Sequence, residues 1–247
     1  MGSSETPGTS ATSQVGDSVP PQGWAQNPWL AYFEFAAIAF IFWADVHHHI
    51  LLSKTPYLLA LGWISLRLRG LRWRDVGLAR FRGWGTTLLV GGICGVTMEV
   101  FELFVSQPLF MKWTGKAPDL DLFRALHGDI KWTLLAIVGA WTLAAFGEEM
   151  VFRGYLLNRI AGVFPLKSHE STRAAWIIAL VLSSAVFGAA HLGQGITGQL
   201  ENALDGLLLG AIYLACGRNL GAVIVAHGIT DTLDLLLMFA GLYPTLK

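Results

Sequence analysis

The chain has 247 residues, 53% of them hydrophobic and 14% charged, and its 17 basic and 17 acidic side chains give a formal net charge of zero. A soluble domain carries roughly 25% charged residues, so this deficit, with ten tryptophans and a mean hydropathy of +0.52, points to an integral membrane protein. The neutral balance says nothing about a nucleic-acid partner, and no basic cluster interleaved with aromatics suggests one, so none is expected.

Residues 1–27, "MGSSETPGTSATSQVGDSVPPQGWAQN", are rich in Ser, Thr, Gly and Pro. That composition buries no core and predicts a disordered tail, without the charged and apolar regions of a signal peptide. About seven apolar segments follow, at 29–46, 50–68, 84–105, 131–152, 174–191, 201–217 and 219–240. They predict an all-α, polytopic transmembrane bundle of about seven to eight spans, a single membrane-embedded domain over 28–247. Cys94 and Cys216 lie inside apolar runs, with no CxxC or Cys/His spacing, and read as packing residues.

Arginine placement predicts an orientation. The loop "RLRGLRWRDVGLARFR" carries Arg67, Arg69, Arg72, Arg74, Arg80 and Arg82; Arg159, Lys167 and Arg173 mark a second basic place and Arg218 a third. In a seven-span count all three fall on one side, which the positive-inside rule assigns to the cytoplasm, with the N-terminus. An inner (plasma) membrane location follows as the expectation. The same count puts His191 near the outer end of its span and Glu148 near the inner end of its own. A site shared by the two requires a tilted span or shifted boundaries.

Ionisable residues inside spans are costly facing lipid and rank as functional candidates. In "AAFGEEMVFRGYLL", Glu149 and Arg153 are four apart and share a helix face, which predicts an ion pair. Glu148, one position round, is free to face a cavity. The alternative is that both glutamates satisfy Arg153 at a membrane boundary. In "SSAVFGAAHLGQG", Phe187 lies four before His191 and can pack on its ring; in "VIVAHGITDTLD", His227 and Asp231 are four apart, so the carboxylate can set the tautomer or both can face one ligand. The "HHH" at 47–49 splays round a helix and reads as a polar span end. Glu99 and Glu102 share a face, as cavity lining or as a polar seam. Glu34 reads as interfacial, and Asp205 as facing the interior without an assigned role.

Glu148, Glu149, Arg153, His191, His227 and Asp231 lie on three spans, and a buried site between helices accounts for all of them. A carboxylate with two imidazoles suits hydrolysis, with Glu148 deprotonating water and histidine N–H groups stabilising an oxyanion. A zinc version would use Glu148, His191 and His227 as ligands. The HExxH and GxSxG signatures are absent.

"GEEMVFRGYLL", "FGAAH" and "HGITD" resemble, in order, the EExxxR, FxxxH and HxxxN/D motifs of the CPBP family of CAAX-protease and bacteriocin-processing (Abi) intramembrane proteases. The resemblance covers about residues 131–240. It implies an all-helical bundle that hydrolyses a peptide bond near the C-terminus of a membrane-associated substrate, a prenylated CAAX protein in the Ras-converting members. It implies Glu148 as general base, Glu149 with Arg153 as its support, and His191, His227 and Asp231 binding water, oxyanion or metal. A metal-dependent and a metal-free mechanism both remain open. The alternative function is a non-catalytic scaffold or bacteriocin-immunity protein using the same cavity.

Overall fold

The computed structural model describes residues 28–51, 53–79, 81–163 and 172–246. The expected tail at 1–27, Arg80 and Lys167 lie outside the described residues. Among those described there are helices and turns and no strand.

All seven expected segments are helical. They are α1 (Pro28–Val46), α2 (Lys54–Leu68), α3 (Trp84–Thr114), α4 (Ile130–Gly162), α5 (Arg173–Ala189), α6 (Gly195–Ala215) and α7 (Leu220–Phe239). Four, namely α1, α3, α4 and α7, are each long and apolar enough to cross a bilayer, and α5 with α6 makes a fifth if this bent pair is one span. The 15 residues of α2 fall short of the roughly 20 that a full span needs. Large apolar side chains such as Trp29, Phe40, Leu89, Trp132, Leu134 and Ile177 point outwards. Such a surface suits lipid, and the protein is an integral membrane protein.

Two boundary shifts matter for the site. The segment expected to end at 152 runs on to Gly162, a rod of 33 residues, so Glu148 sits just past its middle. The rod winds more widely, in π-helical turns, over Ala140–Glu148 and Met150–Leu157. The segment expected from 201 starts at Gly195, and between α5 and α6 the axis bends by 62°. Gly195 has φ 72° and ψ −179°, a conformation open almost only to glycine. His191 lies at that bend. The depth conflict in the span count disappears because α4 is nearly twice as long as the 17-residue α5, so the end of α5 meets the middle of α4.

The arginine-bearing loops share one end of the bundle. Leu220 N–H donates to the Gly77 carbonyl at 2.8 Å, the Asn219 amide to that of Ala79 at 3.0 Å and the Tyr213 hydroxyl to that of Val76 at 2.8 Å. Glu34 is not a loose interfacial group. It is 3% exposed and accepts from Ser65 at 2.7 Å, Arg69 at 2.7 Å and Arg159 at 2.6 Å. It ties α1, α2 and α4 together, and both arginines come from elements distant in sequence.

Candidate active site

The wide turns of α4 bring Glu149 and Arg153 inwards. Arg153 is 1% exposed and Glu149 fully buried. Arg153 Nη1 donates to Glu149 Oε1 at 2.6 Å, the pair that four-residue spacing predicts. Arg153 Nη2 donates to the carbonyls of Gly206 at 3.2 Å and Asp205 at 3.5 Å, and the guanidinium lies 4.6 Å from the Phe187 ring centroid. A β-carbon at Gly206 would come within 2.9 Å of Ser184. The bare glycine therefore lets α6 pack against α5 and bring its carbonyls to the guanidinium.

His227 Nδ1 sits 2.8 Å from the same Glu149 oxygen, and its Nε2 is 3.5 Å from Asp231 Oδ1. The expected His227–Asp231 pairing exists, but the shorter contact is to Glu149, 78 residues away in sequence. One glutamate thus orients both an arginine and a histidine, while its Oε2 is buried without a hydrogen-bond partner. Sequence reasoning also missed the Asp205 and Gly206 carbonyls. The repeated small residues of "DGLLLG" on α6 mark that face.

Phe187, 2% exposed, connects the rest. Its ring is 5.0 Å from His191, 6.2 Å from His227 and 4.8 Å from Phe152. His191 Nδ1 lies 2.8 Å from the Phe187 carbonyl oxygen. A carbonyl only accepts, so Nδ1 carries the proton, and the Nε2 of a neutral His191 presents a lone pair. This changes the expectation that both histidines offer N–H groups. Neutral His191 accepts a proton; it does not donate to an oxyanion.

Glu148 is half-buried and has no hydrogen bond or ion pair among the described residues, yet its charge bears on His191, His227 and Asp231. The six candidates therefore occupy one neighbourhood, with Glu149 and Arg153 sequestered and Glu148 free. His47 and His49 instead lie against Trp43, with ring centroids 4.8 and 5.3 Å away.

The expected zinc set does not converge in this arrangement. Among the described residues, the group of three His, Cys, Asp or Glu side chains with ligand atoms all within 4.8 Å of one another is Glu99, Glu102 and Asp234. Both nitrogens of His227 already face carboxylates.

Residues 130–233 match the family model described as type II CAAX prenyl endopeptidase, Rce1-like. No curated protein and no solved structure matches the chain. The matched stretch runs from the start of α4 into α7 and contains all six candidate residues. It is consistent with the CPBP resemblance of the three motifs.

Proposed function

We propose that the protein is a CAAX-type intramembrane endopeptidase in which Glu148 activates water. The observation that carries this reading is the difference between two adjacent glutamates inside the matched region: Glu149 is buried with one oxygen held by both Arg153 and His227, and Glu148, next to it in the chain, is half-buried with no hydrogen bond or ion pair among the described residues. A carboxylate in that position accepts a proton from water as the oxygen attacks the scissile carbonyl. His191, with its Nδ1 hydrogen held by the Phe187 carbonyl, offers Nε2 to hold the same water. His227, with Nδ1–H on Glu149, stabilises the developing oxyanion when Nε2 is also protonated opposite Asp231. Protonated Glu148 then returns its proton to the leaving amine, which closes the cycle without a covalent intermediate.

The substrate in this reading is the C-terminal region of a membrane-associated, prenylated protein, approached from the lipid side. The end bearing Arg69, Arg159 and Arg218 faces the cytoplasm. The test is cleavage of a fluorogenic CAAX peptide, with and without the prenyl group, by purified protein in lipid vesicles, in parallel with a chelator. Cleavage that depends on the prenyl group supports the substrate class, and persistence in chelator supports the side-chain mechanism. Absence of cleavage for both peptides would contradict the CAAX reading and favour a scaffold or immunity role.

A further inference from the structure

Away from the motif residues, α3 runs against α7 in close contact. A β-carbon at Gly91 or Gly95 would come within 2.5 Å of α7 atoms, and the Thr230 hydroxyl donates to the Gly95 carbonyl at 3.2 Å. One to two turns further along, this interface becomes acidic. Carboxylate oxygens of Glu99 and Glu102 on α3 and Asp234 on α7 all lie within 4.8 Å of one another. Glu102 begins the stretch Glu102–Ser106 where α3 widens into π-helical turns.

Two further observations point to a missing partner. Glu99 is 3% exposed, and both its oxygens, with Asp234 Oδ1, are buried without a hydrogen-bond partner. Glu99 and Asp234 face each other, but ionised carboxylates have no hydrogen to give. Independently, Glu201 on α6 is 5% exposed, has a buried Oε1 without a partner, and its charge bears on Glu102. None of the four forms an ion pair with a lysine or arginine among the described residues. Three helices bring carboxylates together inside an apolar bundle, where an uncompensated charge is costly and like charges add to that cost.

We propose that Glu99, Glu102 and Asp234 form a binding site for an oxygen-preferring divalent cation. The donors are all carboxylate oxygens, which suits a hard cation and disfavours zinc or copper. The ion joins α3 to α7 one turn beyond Asp231, and so braces the helix that carries His227.

The test uses the full chain in lipid nanodiscs, stripped with a chelator and then titrated with calcium, with thermal unfolding read from tryptophan fluorescence. A saturable rise of several degrees is expected, absent in the Glu99→Gln/Asp234→Asn double variant. Those side chains keep their shape and lose mutual repulsion, so the variant folds. On wild type alone, manganese paramagnetic resonance is expected to count about one bound ion per chain. No response to calcium or manganese would overturn the site. A rise of equal size in the double variant, as from ions on lipid headgroups, would also overturn it. So would stabilisation by acid with no response to the ions, which would assign shared protons to the cluster.

Discussion

The bundle holds two groups of buried carboxylates, and they are built on opposite principles. Around Glu149 the carboxylate meets cations: Arg153 and His227 converge on one oxygen at 2.6 and 2.8 Å, two backbone carbonyls take the other arginine nitrogen, and Phe187 covers the guanidinium, while the second oxygen is buried without a hydrogen-bond partner. Around Glu99, carboxylates face carboxylates and buried oxygens lack donors. In the first arrangement the buried carboxylate has an arginine partner, and its neighbour Glu148 has no hydrogen bond or ion pair among the described residues. The second is incomplete as it stands. In an apolar surround, removing one member of a matched pair leaves a stranded charge, whereas removing one of several like charges relieves repulsion. The same substitution should therefore have opposite effects at the two places.

The largest expected effect on stability is Arg153→Ala, which leaves Glu149 buried without its main partner and should destabilise by about 3–5 kcal/mol. Expression and thermal unfolding in detergent check this, and a normal melt would show that the pair is solvated. Glu149→Gln keeps the shape but removes the charge that both Arg153 and His227 share, and should cost about 2–3 kcal/mol in the same assay. Phe187→Leu removes the ring that contacts Arg153 and both histidines. A loss of about 1–2 kcal/mol is expected, with a fall in turnover larger than the melt alone explains. Glu99→Gln, measured in chelator, should leave stability unchanged or raise it by about 1 kcal/mol. A loss as large as that at Glu149 would erase the contrast between the two groups.

Much of this was legible in the sequence, for reasons specific to each element. Seven apolar runs predict about seven to eight spans; all seven runs are helical, but four of the helices, or five if α5 and α6 make one bent span, are long and apolar enough to cross a bilayer, because hydropathy marks short buried helices as strongly as spanning ones. The Glu149–Arg153 pair and the Phe187–His191 contact follow from four-residue spacing on a helix. What spacing cannot reveal is contact between distant elements. Glu34 was expected at the interface because Arg69 and Arg159, its partners, lie 35 and 125 residues away. His227 reaches Glu149 only once α4 and α7 are packed. The apparent conflict in depth between Glu148 and His191 came from span ends, which composition marks poorly. Here α4 is extended, and the chain bends by 62° between α5 and α6. Glu99 and Glu102 were recognised as sharing a face, but Asp234 joins them only through the close approach that Gly91 and Gly95 allow.

The central claim is that, of two adjacent glutamates, Glu148 does the chemistry and Glu149 holds the site. Cleavage of the prenylated peptide by wild type and Glu148→Gln in vesicles, with thermal unfolding recorded on the same preparations, tests it most directly. The account predicts a loss of cleavage of at least about 100-fold with the unfolding temperature essentially unchanged. Undiminished cleavage by Glu148→Gln would contradict it and move the base elsewhere.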